Sequence, residues 1–255
     1  MSKRPSISVV VPFFNSKRHI AACIESLLGQ EDVGVDSEII FVNNGSTDGS
    51  ASIVARFGEL IVLDEQTPGA YAARNTGIRK AQAPWIAFTD ADCVADRYWL
   101  RSIQEGTQNN EIAILLGQCL YPPDASFALR FLGAYENAKT AYVTRRCGSA
   151  QHFGHANNMA IRAAVFEEVG LFQEWERAAD TELVHRVAAK RPDLRLVYLP
   201  GMKITHMEFR SARARLRRLS LYTQTNARVE TFSELSVAQR AGVLGQLLKG
   251  GRAAG

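Results

Sequence analysis

The chain has 255 residues, 46% hydrophobic and 22% charged, enough for a sizeable core and too apolar for wholesale disorder. Its net charge of +4 is mild and says little alone, and no recognised nucleic-acid-binding motif accompanies its basic stretch near Arg210–Arg218. No apolar run approaches the roughly 18–20 residues that span a bilayer, and the four scattered cysteines form no CxxC pair, so neither a zinc site nor a disulfide framework is indicated.

The opening MSKRPSISVVVPFFN carries charges before an apolar run of only about six residues, which reads as a first core strand rather than a signal peptide. A cytoplasmic protein, soluble or peripheral to the membrane, is expected. ISVVVP (7–12) is a β-branched strand. KRHIAACIESLLGQ (17–30) is a helix with Ile20, Ile24, Leu27 and Leu28 on one face and Gly29 near its end. EIIFVN (38–43) is a second buried strand, and GSTDGSASIVARF follows with Ser46, Thr47 and Asp48 as candidates for a helix start. LIVLD (60–64) is a third strand, GAYAARNTGIRKA (69–81) a helix and WIAFTD a fourth strand. DRYWLRSIQEG (96–106) is a helix that Asp96 could cap.

Strands alternating with helices at this spacing predict an α/β fold with a mostly parallel, doubly wound sheet. Ligands of such sheets sit beyond the carboxyl ends of the strands. PFFN, VNNGSTD and TDAD all fall at those ends, so three polar clusters are expected to converge on one cleft.

The second half is less regular. Residues 122–150 are ambiguous. NNMAI (157–161) reads as a strand, AAVFEEVG (163–170) as a helix closed by Gly170, and ADTELVHRVAAK (179–190) as a helix amphipathic through Leu183, Val184 and Val187. LRLVYLP and MKITH are late strands, the tail from Phe209 onward is helical in pattern, and the last six residues, GGRAAG, are expected to fray.

Asp90-Ala91-Asp92 closes the fourth strand. A residue-skipping pair at a strand end projects both side chains to one face, with Cα atoms about 6.5–7 Å apart. Two anions so close need a cation or hydrogen-bond donors between them. A hard divalent ion, Mn²⁺ or Mg²⁺, suits such carboxylates; a polar strand end with an N-cap is the plainer alternative.

SISVVVPFFNSKRHIAACIESLLGQ, EIIFVNNGSTDGS, GAYAARNTGI and WIAFTDADC, in this order and spacing, resemble the family 2 glycosyltransferases with the GT-A fold. GHANNMAIRAAVFEEVGLF and ADTELVHR resemble the acceptor half of the same family. The resemblance implies a GT-A fold, a Rossmann-like mostly parallel sheet flanked by helices, with a smaller acceptor-side half and a C-terminal helical segment. It divides the chain into a nucleotide-sugar-binding half (1–120), an acceptor-binding and catalytic half of the same domain (121–207) and a basic helical tail (208–255).

The resemblance also implies roles. Phe14 would pack on the nucleobase, with Pro12 and Asn15 shaping the pocket, although Phe14 could equally be a core aromatic. Asn44 stands where the family commonly has an acidic residue that contacts the base; Asn44-Gly45 also reads as a tight-turn pair. Arg74 would lie near the nucleotide or else on a helix surface. Asp90 would contact ribose or metal-bound water, Asp92 would bind the metal directly, and His206 would complete the metal site or touch the diphosphate. His155 and Asn157 would line the sugar pocket. The family's Glu-Asp pair is Ala179-Asp180 here, so Asp180 remains as general base of an inverting transfer, unless it is only an N-cap.

The implied reaction moves one sugar from a nucleotide-diphosphate sugar to an acceptor hydroxyl. The QxxRW segment of the processive members is absent, which favours single addition. A non-catalytic nucleotide- or glycan-binding scaffold and an aspartyl phosphotransferase are the competing readings. The arginines between Arg210 and Arg218 could meet an anionic membrane surface, fold over the diphosphate, or form a solvated helix face.

Overall fold

The computed structural model of the chain describes residues 5–31, 34–209, 211–217, 229 and 233–250. The elements run β1 (Ile7–Phe13), α1 (Ile20–Leu28), β2 (Ser37–Asn43), α2 (Ser50–Val54), β3 (Ile61–Asp64), α3 (Ala70–Lys80), β4 (Trp85–Thr89), β5 (Cys93–Ala95), α4 (Trp99–Gly106), β6 (Ile112–Leu120) and α5 (Phe127–Arg146). They continue with β7 (Asn158–Arg162), α6 (Ala163–Val169), α7 (Ala179–Lys190) and β8 (Arg195–His206). A helical stretch α8 (212–217) and α9 (Val237–Gly250) follow.

One sheet of order β3-β2-β1-β4-β7-β6-β8-β5 runs through both halves. β3, β2, β1 and β4 are parallel, as are β6 and β8; β7 is antiparallel to β4 and β6, and β5 to β8. Alternate residues of a strand face opposite sides. Val9 and Val11 therefore join Ile20, Ile24 and Trp99 on one face, while Val10 joins Tyr71, Phe166 and Leu183 on the other. Each such apolar side chain contributes about 1.5–3 kcal/mol when fully buried. β1 and β4 are buried along their whole length, as strands covered on both faces should be.

Two features open the ligand edge. β1 pairs with β4 only as far as Val10 and Phe88, so the two strand ends separate beyond that point. Pro12, which offers no N–H, sits in this unpaired part, where the loss costs no ladder bond to β4. The strand order also reverses at this place, the usual site of a ligand crevice. Gly77 then lets α3 lie close on β1, since a Cβ there would stand 2.3 Å from Val10.

Several expectations are corrected. The cap of α2 is Gly49, not Ser46, Thr47 or Asp48; the Asp48 carboxylate instead accepts from Ser50 N (2.9 Å) one residue further on. α4 starts at Trp99 rather than Asp96, because Asp96 closes a turn that accepts from Tyr98 N (3.0 Å). Leu28 is exposed, one position past the buried stripe of α1. LRLVYLP and MKITH form one strand, β8, whose Pro200-Gly201 segment is absorbed by a register shift opposite Gly117 and Gln118.

The ambiguous stretch 122–150 is mostly α5. Its buried face includes Gly133, Asn137 and Thr140, which breaks the apolar period. Asn137 is inside because it pairs with the backbone of Cys119, accepting from its N–H (3.0 Å) and donating to its carbonyl (2.8 Å). β6 is not assigned from the sequence, although its Ile112–Leu116 run is continuously apolar and buried. In the tail, 233–236 is not helical, Gly250 ends α9, and 251–255 lie outside the described residues.

Candidate active site

The ends of β1, β2 and β4 open into one cleft of about 1300 Å³. It is lined by Pro12, Phe14, Asn15, Asn44, Arg74, Asp90, Asp92, His155, Asn157, Asp180 and His206. The structure thus brings together every site residue singled out in the sequence.

The first wall is tied backbone to side chain. Phe13 is buried and ends β1, whereas Phe14 is 61% exposed and is no core aromatic. Asn15 follows in the left-handed region (φ 47°), where asparagine is tolerated better than most residues. Its Oδ1 accepts from Thr47 N (2.8 Å), and its own N–H donates to Ser46 Oγ (3.1 Å). Asn44 N donates to Phe13 O (2.9 Å). The Asn44 amide is engaged with the next loop: Nδ2 donates to Glu65 O (3.0 Å) and Thr67 O (2.8 Å), and Oδ1 accepts from Gly69 N (2.7 Å). A base contact from Asn44 has only the second lone pair of Oδ1 to use.

Asp90 and Asp92 both line the cleft. They sit in a turn between β4 and β5, closed by Cys93 N donating to Asp90 O (3.0 Å), so strand alternation does not govern them. Asp90 pairs with Arg74, whose side chain is 6% exposed and lies over the Tyr71 ring, so Arg74 is not a surface residue. Asp92 lies 3.7 Å from His206 Nε2. Cys93 Sγ lies 3.6 Å from Asp92 Oδ1, and Glu208 is hydrogen-bonded to the same carboxyl. Burial, then the charges of Asp90 and Glu208, push the Asp92 carboxyl up to about 8.

A carboxyl that keeps its proton there is one whose charge needs a cation, and a metal would displace that proton. The ligand atoms of Asp92, Cys93 and His206 lie within 4.8 Å of one another. A carboxylate and an imidazole, with Glu208 beside them, form a donor set that fits a divalent ion.

On the opposite wall α7 presents Asp180. Ala178 (φ 66°), not Asp180, occupies the N-cap. Asp180 Oδ2 accepts from Ala156 N (3.0 Å), Oδ1 from Thr181 N (2.9 Å), and its backbone N–H points at Tyr71 Oη (3.4 Å). Burial raises the Asp180 carboxyl above the usual range, against the pull of these donors and of Arg74. Gly154 makes the approach possible, because a Cβ there would lie 2.5 Å from the Asp180 backbone.

His155, in the same loop, lies 3.4 Å from Thr140 Oγ1 and is held neutral: burial, then Lys139, lowers it to about 4. Asn157 borders the cleft near Cys119 Sγ (3.9 Å). Of the arginine series, Arg210 and Arg218 lie outside the described residues, Arg213 and Arg217 are exposed, and Arg215 lines the cleft. Residues missed in the sequence also line it: Tyr71, Glu208, Glu136 and Lys139 of α5, and Ser233, Glu234 and Arg240. Tyr71 stands three residues before Arg74 on the same helical face, and Glu208 two residues after His206; both spacings were readable. For the others no local pattern existed.

The model of the family described as glycosyl transferase family 2 matches residues 8–170. Glycosyltransferase AglE of Haloferax volcanii is 29% identical over 179 residues, 67% of this chain and 57% of that protein. The uncharacterized glycosyltransferase EpsJ of Bacillus subtilis is 33% identical over 115 residues, 44% of this chain and 33% of that protein. The chain thus spans about half or less of the curated relatives it matches. Among solved structures, the mannosyltransferase PcManGT from Pyrobaculum calidifontis, in complex with GDP-Man and Mn²⁺, superposes with a TM-score of 0.70 at 20% identity, over 100% of this chain and 77% of that one. S. aureus TarS 1-349 in complex with UDP-GlcNAc gives 0.62 at 16% identity, over 95% and 71%. The architecture is the GT-A fold.

Proposed function

The chain belongs to glycosyl transferase family 2, and from that premise we propose that it moves one sugar from a nucleoside-diphosphate sugar to an acceptor hydroxyl with inversion. The observation that carries this reading is one cleft with the Asp92–His206 pair (3.7 Å) on one wall and the buried Asp180 on the other. Phe14, exposed at the cleft, stacks on the nucleobase, Pro12 and Asn15 shape that pocket, and Asn44 holds its far loop. Arg74 pairs with Asp90 and holds it in place, where it would contact the ribose or a metal-bound water. Asp92 and His206 hold Mn²⁺ or Mg²⁺, which when bound supplies charge neutralisation for the diphosphate as it leaves.

Asp180 is the base. With its carboxyl raised by burial it is a stronger proton acceptor than an ordinary aspartate once deprotonated. It takes the proton of the acceptor hydroxyl, whose oxygen attacks the anomeric carbon; the bond from that carbon to the diphosphate oxygen breaks, and its electron pair leaves with the phosphate. His155, neutral, and Asn157 border the sugar. The exposed Arg213 and Arg217, with exposed Leu216 between them, suit contact with an anionic lipid surface, which makes the protein peripheral to a membrane. Among the described residues no helix is long and apolar enough to cross one.

Release of nucleoside diphosphate from a panel of UDP- and GDP-sugars, measured with Mn²⁺ and with a chelator, tests the reading. Metal-dependent release from at least one donor is expected. Tight metal-dependent binding without any release or transfer would favour a non-catalytic scaffold, a reading that the alanine at position 179 otherwise leaves standing.

A further inference from the structure

We infer that Arg215 grips the donor diphosphate, as a fixed cation lining the same cleft as the Asp92–His206 pair. This rests on the reading above and names a residue for it. Phe209, Tyr121, Ala125 and Leu129 form a small apolar cluster against which Ala212 packs, and that cluster seats α8. The Phe209 ring is 4.8 Å from the His206 ring, so α8 is anchored beside the strand end that carries the proposed metal pair.

The Arg215 guanidinium lies 5.5 Å from the Phe209 centroid, hydrogen-bonds Tyr121 and lines the cleft. Its Nε is shielded from solvent and has no hydrogen-bond partner among the described residues. Other cations of this wall are matched: Lys139 with Glu136 (3.0 Å), Arg177 with Glu176 (3.4 Å), Arg240 with Glu234 (2.9 Å). Arg215 pairs with no carboxylate among the described residues. A shielded guanidinium N–H without an acceptor is costly, and the planar fork of arginine matches two phosphate oxygens. Arg215 lines the same cleft as Asp92, His206 and the Asp180 loop, near enough to His155 and Cys119 to act on both electrostatically. That is where the charge of a departing diphosphate would build up.

The test is calorimetric titration of UDP, GDP, CDP and dTDP, each with its parent nucleoside, into wild type, Arg215→Gln, Arg215→Lys and Arg213→Gln in the presence of Mn²⁺. For the preferred nucleotide, Arg215→Gln should weaken diphosphate binding about ten- to a hundredfold, the effect of a lost charge-assisted hydrogen bond. Nucleoside binding should not change, Arg215→Lys should recover part of the loss, and Arg213→Gln, with the same change of charge on the exposed face, should bind as wild type does. Equal diphosphate affinity in Arg215→Gln and wild type overturns this inference alone. So does equal weakening by Arg213→Gln, which would mark a diffuse charge effect, or a parallel loss of nucleoside binding, which would mark a folding defect. A wild-type chain that binds none of the four diphosphates overturns the proposed function and this inference with it.

Discussion

The two walls of the cleft are built differently. The wall at the ends of β1, β2 and β4 consists of short segments that continue buried strands, and their polar residues bond one another within a few positions of the strand end: Asn15 to Thr47, Asn44 to Phe13 and to the 65–69 loop. The facing wall gathers α5, the 153–157 loop, α7 and the segment 233–250, whose contacts span long sequence separations. Ser233 N donates to Ala150 O (2.6 Å), and Asn75 on α3 exchanges hydrogen bonds with Phe172 (2.9 and 3.1 Å). The first wall is a property of strand ends; the second is a property of the finished fold. A single substitution on the first should therefore act locally, on binding, whereas one on the second should disturb chemistry and packing together.

The sharpest break between the walls is expected at Asp180. Asp180→Asn is isosteric and removes the base, although its amide can accept only one of the two backbone N–H bonds that Asp180 accepts. Turnover should fall by about 10²–10⁴-fold, while metal-dependent binding of nucleoside diphosphate, read by calorimetry, stays within about twofold. The wild-type pH profile of kcat/KM carries the same claim. Burial holds the Asp180 carboxyl above the usual carboxylate range, and the base works only when deprotonated. Activity should thus be lost as pH falls through that raised value, and the acidic limb should lie above the range of an ordinary aspartate.

Next in size is Gly154→Ala. A Cβ at 2.5 Å from the Asp180 backbone must push the loop or the helix start away. Overpacking of this kind costs about 1–3 kcal/mol of stability, measurable by denaturant unfolding, and kcat should drop more than donor affinity because the displaced part carries the base. A fall in donor affinity with kcat intact would show that the walls are not separable in this way.

The smallest effect is expected on the first wall. Phe14 is exposed, so Phe14→Ala should leave the melting temperature nearly unchanged. Losing an aromatic platform under a base costs about 1–3 kcal/mol, seen as weaker binding of nucleotide and nucleoside alike. A Phe14→Ala protein that melts much earlier but binds as before would reassign this ring to the fold.

The same contrast decides what could be read from the residues. The doubly wound half was legible because each buried strand is an unbroken apolar run and each helix a period broken by glycine or a polar start. The cluster at the strand ends followed from topology alone. What was misread involves local geometry: Asp90 and Asp92 occupy a turn rather than the strand itself, and pair with Arg74 and His206 respectively. α5 was illegible since Asn137 and Thr140 lie on its buried side, satisfied by partners that only the tertiary fold supplies. Arg215 reaches the cleft through the seating of α8 on Phe209, which singles it out of the arginine series as the sequence does not.

The central claim is that a divalent ion held through Asp92 joins this protein to the diphosphate of an activated sugar. Titrating Mn²⁺ against wild type and Asp92→Ala with a saturating nucleoside diphosphate, followed by the electron paramagnetic resonance of the free ion, tests it most directly. The account predicts that wild type takes up one Mn²⁺ per chain only when the nucleotide is present, and that Asp92→Ala takes up none. Equal uptake by both proteins, or nucleotide binding that ignores the metal altogether, would contradict it.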